Sequence, residues 1–148
     1  MILRAFVVPK QMLEKIVAQF PALLDRHFVI SICDPGEARP LPGAHANLLN
    51  LTFCDIAPDD IPASERQRFP SMSQQDAVDV VNTLKRWHGS QLHGNLIVQC
   101  HAGISRSGAV GTFATELLEL DGERFRKEHP WVDPQPYVLN LLRVAAGL

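Results

Sequence analysis

The sequence contains little cysteine, with only Cys33, Cys54 and Cys100. Three thiols cannot build a disulfide framework, and no C-x-x-C pair of the kind that binds zinc is present. The six histidines also lack the spacing of metal ligands. We therefore expect a reducing, cytoplasmic location and a protein that uses no metal and no other cofactor.

Long hydrophobic runs and an excess of one charge are also missing. The apolar stretch 1–9 is far shorter than a membrane span, and it lacks the basic start and cleavage site of a signal peptide. The formal net charge is only -2, so the chain as a whole has no general attraction for nucleic acid or anionic membranes. We expect neither as a partner, and any anion site must be local.

What remains is the composition of an ordinary globular protein. Hydrophobic residues make up 46% and charged residues 20% of the chain, which excludes collagen-like and disordered classes. The 148 residues fit one domain, 1–148, because a globule of this size buries roughly 68–70% of the surface of its unfolded chain. No repeat or linker-like segment divides it.

Strand and helix patterns alternate along the chain. Short apolar runs predict strands at 2–8, 28–33, 47–53 and 95–99. Helical spacing and capping residues predict helices over about 10–20, from a capping box at 71–74, from Arg106 to a stop at 121–122, and near 122–129 and 136–146. The pattern predicts an α/β fold with a single domain, in which helices flank a central, mostly parallel twisted sheet.

The segment 100–107, CHAGISRS, joins a predicted strand to a predicted helix. Ligands of open α/β sheets bind at this edge. The loop between Cys100 and Arg106 can turn its backbone N–H groups inward, and the helix N-terminus adds a partial positive charge. Such a cup fits a phosphate dianion, which Arg106 can hold through two oxygens. The same groups favour the thiolate form of Cys100, which is a nucleophile.

This segment resembles the signature H-C-x-x-G-x-x-R-[ST] of the cysteine-dependent protein tyrosine phosphatases, and the order of elements resembles their compact dual-specificity group. The resemblance implies a protein tyrosine phosphatase-like fold and metal-independent hydrolysis of phosphomonoesters through a phosphocysteine intermediate. It implies phosphotyrosine proteins or peptides as substrates, with phosphoserine and phosphothreonine as further candidates. Phosphate, sulfate or vanadate would occupy the loop.

The resemblance also implies a role for each position of the signature. Cys100 is the expected nucleophile, Arg106 binds the phosphoryl group and stabilises the transition state, and Ser107 donates a hydrogen bond to the departing thiolate. Gly103 permits the turn of the loop. The expected phosphate-binding residues are His101, Ala102, Gly103, Ile104, Ser105 and Arg106.

A general acid is expected in the proline-containing segment 54–72, which shows no periodicity. The resemblance implies an aspartic acid that protonates the leaving oxygen and then activates water. Asp55 is the first choice because it lies just past the predicted strand 47–53, where the family places its acid. Asp59 and Asp60 lie in the same segment and remain alternatives.

Gln99 stands where the family has a histidine. An amide carries no charge, so we expect a less stabilised thiolate at Cys100 than in a histidine-bearing relative. Two further hypotheses are a phosphate-recognition module without turnover and a phosphatase that acts on a non-protein phosphate ester. Cys54 is either an ordinary free cysteine or the partner of Cys100 in a disulfide formed on oxidation.

Overall fold

The computed structural model describes residues 3–148. One parallel sheet has the strand order β1-β4-β2-β3 and is formed by Ala5–Pro9 (β1), Phe28–Cys33 (β2), Leu48–Thr52 (β3) and Leu96–Cys100 (β4). The helices are Lys10–Gln19 (α1), Gln74–His88 (α2), Arg106–Leu117 (α3), Gly122–Glu128 (α4) and Pro136–Ala145 (α5). The predicted α/β class with a parallel sheet is confirmed.

Strand β4 lies inside the sheet, between β1 and β2, and all five of its residues are buried. This agrees with its unbroken apolar pattern, which is typical of parallel strands covered on both faces. Because all four strands point the same way, their carboxyl ends meet at one edge, and the segments that follow them come together there. That edge carries the signature loop.

Helices cover the two faces of the sheet unequally. The larger core, which includes Phe53, Trp87 and Phe113, lies on the face covered by α2, α3 and α5. A smaller core that contains Leu13 and Val29 lies under α1. The apolar residues of α2 that recur at helical spacing are buried throughout: Ala77, Val80, Val81, Leu84 and Trp87. Within the described residues, no helix has the length and apolar character needed to cross a membrane.

Two predicted helix boundaries were wrong. The capping box of α2 joins Ser73 to Asp76 rather than spanning 71–74, because the Ser73 side chain accepts from the Asp76 amide and the Asp76 carboxylate accepts from the Ser73 amide. Helix α3 ends at Leu117 instead of continuing to 121–122. Glu119 reverses the chain with a φ of 52°, and Asp121 caps the start of α4.

The bounds of β2 agree with the prediction, whereas those of the other three strands differ by one to three residues. β1 begins at Ala5 rather than at position 2, which lies outside the described residues. β3 is one residue shorter at each end than the predicted 47–53, and β4 is shifted by one residue from 95–99. Cys100 is therefore the last residue of β4, where it pairs with Pro9.

Candidate active site

The loop 101–105 that leaves β4 turns at Gly103, whose φ is 69°. A Cβ at this position would lie 2.5 Å from the nitrogen of Pro9 and 2.6 Å from the carbonyl carbon of Val8. Glycine is thus required both by the positive φ and by the close approach of β1. The end of β1 therefore packs directly against the loop at Gly103.

The carbonyl groups of this loop are bound from outside. The amide of Lys10 donates to the carbonyl of His101 at 3.2 Å. The segment 131–135 between α4 and α5, called here the bracing segment, binds the next carbonyls. Its donors are the Trp131 indole, the Asp133 amide and the Gln135 amide, which bind the carbonyls of Gly103, Ile104 and Ser105 at 3.0, 3.1 and 3.0 Å.

The backbone amides of the loop consequently turn inward, since C=O and N–H point in opposite directions across a trans peptide. The amides of residues 101–107 have no hydrogen-bond acceptor among the described residues. Helix α3 starts at the same place, and the side chain of its N-cap residue, Ser105, does not cap it. Unpaired amides together with the positive end of a helix dipole form a cup for an anion.

Cys100 lies at the base of this cup. Its Sγ is 3.0 Å from the Oγ of Ser107, and the two residues are 2% and 0% exposed. The hydroxyl can donate to a thiolate or accept from a thiol. The two predicted residues therefore lie within hydrogen-bond distance of each other.

Arg106 points into the protein rather than into solvent and is only 5% exposed. Its Nη1 donates to the carbonyl of Phe53 and to Oδ1 of Asp34, both at 2.7 Å. Its Nε is buried and has no acceptor among the described residues. A buried guanidinium donor without a partner is costly, and an anion in the cup would satisfy it.

Asp34 was not among the site residues predicted from the sequence, in which the D-P-G segment 34–36 is typical only of a turn. The turn is present, with the Glu37 amide donating to the Asp34 carbonyl at 3.1 Å. A signal was available, because Asp34 directly follows β2 and so lies at the same sheet edge as Cys100.

Of the three candidate acids, the structure brings Asp55 to the loop. Oδ1 of Asp55 accepts from the Ser105 hydroxyl at 2.9 Å and from the side-chain Nε2 of Gln135 at 3.1 Å. The carboxylate of Asp59 instead faces Arg66 at 3.6 Å and is fully exposed. Asp60 lies in the same short 3-10 turn, Pro58–Asp60, and its side chain makes no hydrogen bond within the described residues.

Glu37 forms a second charged contact with the loop that the sequence did not indicate. Its carboxylate contacts His101 Nδ1 at 3.0 Å and Lys10 Nζ at 3.3 Å, and accepts from the Asp34 amide at 2.9 Å. Burial alone would raise the pKa of Glu37, but these hydrogen bonds and the charge of Lys10 lower it to about 2. Glu37 is thus an anion that fixes the first residue of the loop.

Gln99 and Cys54 directly precede Cys100 and Asp55 in the chain. Gln99 is fully buried, its Oε1 accepts from the Ser31 hydroxyl, and its Nε2 has no acceptor among the described residues. All three cysteines are free. Burial, followed by the carboxylate of Asp34, raises the pKa of the Cys54 thiol, and the opposing effect of Arg106 is smaller. Cys54 is therefore a weak nucleophile.

A groove of about 760 Å³ between α1 and β1 lies away from this site. Its lining includes Phe6, Ile16 and Phe20 and contains none of the predicted site residues. Within residues 3–148 no group of histidine, cysteine and acidic side chains is arranged to hold a metal. The predicted site residues therefore lie at the carboxyl edge of the sheet and not in this groove.

The arrangement of sheet, helices and loop is the fold of tyrosine-phosphatase-like and dual-specificity-phosphatase-like proteins. The human tyrosine phosphatase-like serine/threonine/tyrosine-interacting protein matches with a TM-score of 0.61 at 19% identity, over 97% of this chain and 91% of that one. PTPMT1 in complex with PI(5)P matches with a TM-score of 0.54 at 16% identity, over 97% and 90%.

Human DUSP28 matches with a TM-score of 0.52 at 14% identity, over 97% of this chain and 91% of that one. No family model and no curated protein matches the sequence. The structural matches thus confirm the fold that the resemblance implied.

Proposed function

We propose that this protein is a metal-independent phosphatase that hydrolyses phosphotyrosine in proteins or peptides through a phosphocysteine intermediate. One observation carries the proposal: the amides of residues 101–107 have no acceptor among the described residues, whereas the carbonyls of residues 101 and 103–105 are bound by other segments and Cys100 is buried at the start of the loop. A cup of this kind binds the equatorial oxygens of a phosphoryl group and places phosphorus over the nucleophile.

In the first step, the Cys100 thiolate attacks phosphorus. An S–P bond forms as the P–O bond to the leaving group breaks, and Asp55 gives its proton to the departing oxygen. The loop amides and the free Nε of Arg106 hold the three phosphoryl oxygens. Because Nη1 of Arg106 is already bound to Phe53 and Asp34, the guanidinium is oriented before substrate enters.

In the second step, water attacks phosphorus and the S–P bond breaks. The Asp55 carboxylate accepts the proton of this water, which restores the acid. The electron pair returns to the sulfur of Cys100. The Ser107 hydroxyl, 3.0 Å away, stabilises that thiolate as it leaves.

The loop side chains favour a phosphoprotein over a polyanionic substrate. His101, Ala102, Ile104 and Ser105 include no lysine or arginine, and the nearby Lys10 is paired with Glu37. A phosphatase for phosphoinositides such as the PI(5)P bound by PTPMT1 would need additional cations around the cup. Phosphoserine and phosphothreonine peptides are further candidate substrates.

The proposal is tested by phosphate release from a phosphotyrosine peptide and from 4-nitrophenyl phosphate. Wild type is expected to turn over both, Cys100→Ser is expected to be inactive, and vanadate is expected to inhibit. Mass spectrometry of acid-quenched enzyme should show a phosphorylated Cys100 peptide. Turnover that persists in Cys100→Ser would contradict the mechanism.

The recognition-module hypothesis is favoured by the neutral Gln99 at the family's histidine position. A module would bind phosphate or sulfate in both wild type and Cys100→Ser and release no phosphate with either. Turnover of PI(5)P but not of the phosphopeptide would instead support the non-protein phosphate ester.

A further inference from the structure

Gln135 occupies a junction between the loop, the candidate acid and the last helix. Its backbone amide donates to the Ser105 carbonyl at 3.0 Å, and its side-chain Oε1 accepts from the Tyr137 amide at 2.9 Å, which caps α5. The remaining group of this side chain, Nε2, donates to Oδ1 of Asp55 at 3.1 Å. Gln135 therefore forms hydrogen bonds to the loop, to Asp55 and to the first turn of α5 at the same time.

We propose that Gln135 is a positioning residue that holds Asp55 over the mouth of the phosphate cup, with Ser105 as the second donor. The inference rests on the proposed function, since it concerns the acid of that reaction. Both hydrogen bonds end on Oδ1 of Asp55, and Oδ2 has no hydrogen bond within the described residues. The two donors therefore fix the carboxyl group by one oxygen and leave the other for the proton that is transferred.

The need for such a support follows from the position of Asp55. Asp55 is exposed and lies near the start of the segment 54–72. This segment contains only short 3-10 turns and no α-helix or strand. The segment is tied back by the Cys54 amide, which donates to the carbonyl of Pro70 at 2.7 Å. A general acid must stay within hydrogen-bond reach of the leaving oxygen, and in an exposed segment that requires contacts to a rigid neighbour.

The substitution Gln135→Glu separates positioning from helix capping. Glutamate keeps the Oε1 acceptor for Tyr137 and the backbone amide for Ser105, but it replaces the Nε2 donor with an oxygen that faces Asp55. Gln135→Met removes the donor without adding charge, but it also removes the Oε1 cap of α5, so it is compared with Gln135→Glu, which keeps that cap. Gln75→Glu is the matched control, because the Gln75 amide donates to Oδ1 of Asp79 at 2.9 Å on α2, outside the site.

The experiment measures kcat/KM for phenyl phosphate divided by kcat/KM for 4-nitrophenyl phosphate. The phenol must be protonated as it leaves, whereas 4-nitrophenolate leaves readily without a proton, so this ratio reports the action of the general acid. We expect Gln135→Glu and Gln135→Met to lower this ratio about tenfold and Gln75→Glu to leave it unchanged, whereas Asp55→Asn should lower it about a hundredfold. In the Asp55→Asn background, Gln135→Glu should produce no further change in the ratio, because it acts through Asp55.

Equal losses on both substrates with either Gln135 variant would overturn the inference, because they would reflect damage to the cup or the fold. A further tenfold change in the Asp55→Asn background would overturn it as well. If Asp55→Asn leaves the ratio intact while Cys100→Ser is inactive, the acid is misassigned and this inference fails with it, but the phosphatase function stands. If Cys100→Ser still turns over both substrates, the proposed function itself fails.

Discussion

Asp34 places a carboxylate on the guanidinium that is expected to bind the substrate phosphate. Its Oδ1 accepts from Nη1 of Arg106 at 2.7 Å, and its side chain is 48% exposed. The contact orients the arginine, but it also offsets part of the positive charge that an incoming anion meets. The amide of asparagine keeps an acceptor at this position and removes the charge.

We therefore predict that Asp34→Asn binds inorganic phosphate about fivefold more tightly, which corresponds to about 1 kcal/mol for a solvent-screened charge. Competitive inhibition by phosphate, measured at constant ionic strength, checks this. Asp59→Asn is the control, since Asp59 contacts Arg66 outside the loop. Unchanged or weaker inhibition in Asp34→Asn would show that the charge of Asp34 does not oppose the anion.

A second prediction at this scale concerns Gln99, which is fully buried beside Cys100. A histidine at this position can carry a positive charge, which the amide cannot, so Gln99→His is expected to favour the Cys100 thiolate. Alkylation of Cys100 by iodoacetamide at neutral pH should become severalfold faster, with Cys100→Ser as the control for alkylation of the free Cys33 and Cys54. Equal rates in wild type and variant would reject the expectation that Gln99 weakens the nucleophile.

At the scale of elements, the bracing segment 131–135 shapes the loop although it belongs to the connection between α4 and α5. The Trp131 indole donates to the Gly103 carbonyl at 3.0 Å, and Trp131 is 49% exposed. Trp131→Phe removes this donor and little packing, so we predict a several-fold loss of kcat/KM with a stability change of about 1 kcal/mol or less.

Trp87→Phe provides the matched control, because the Trp87 indole also donates to a glycine carbonyl, that of Gly94 at 2.9 Å, but in the core. It is expected to lower the melting temperature and to leave kcat/KM of the folded protein unchanged. Steady-state kinetics and thermal denaturation on both variants separate the two roles. Identical behaviour of the two variants would mean that the Trp131 bond supports only the fold.

The sheet and most helices could be predicted because their signals are local. The strand 28–33 was predicted with its observed bounds, and the inner face of α2 followed from its apolar spacing. The bounds of β1 and the end of α3 were wrong because they depend on strand pairing and on a positive φ at Glu119, which no hydrophobic pattern records.

In the candidate site, too, the contacts between residues close in sequence could be predicted and the contacts between distant segments could not. The grouping of Cys100, Arg106 and Ser107 followed from the motif, since its residues are adjacent in the chain. The contacts of Asp34 and Gln135 join distant segments and depend on which strands are neighbours in the sheet. No spacing rule connects Gln135 to Asp55, so this contact could not be predicted from the sequence.

For the whole molecule, Glu37 links stability to pH. Its pKa is about 2 in the folded protein against an ordinary value of 4.5, so its contribution is fully present above about pH 4.5 and is lost as the pH falls toward 2. The shift corresponds to at most about 3 kcal/mol. The groups that lower the pKa are the Asp34 backbone amide, His101 in the loop and Lys10 at the start of α1.

We predict that Glu37→Gln unfolds at lower urea concentration than wild type at pH 7, and that the two midpoints converge as the pH approaches 2. Urea denaturation of both proteins across this range checks the prediction, because other carboxyl groups titrate equally in the two. A difference that stays constant with pH would show that the carboxylate charge of Glu37 is not the source of the stabilisation.

The loop carbonyls are bound by residue 10 on one side and by residues 131–135 on the other. Because residues 131–135 are synthesised after the loop, the loop can take its final conformation only late in synthesis. A nascent chain that has emerged from the ribosome only as far as α3 already carries the thiol and the guanidinium, but it lacks three of the donors that orient the peptide groups around them. An isolated peptide of residues 100–107 would also lack these donors. We therefore expect the proposed reactivity toward phosphate esters only after the segment before α5 has docked.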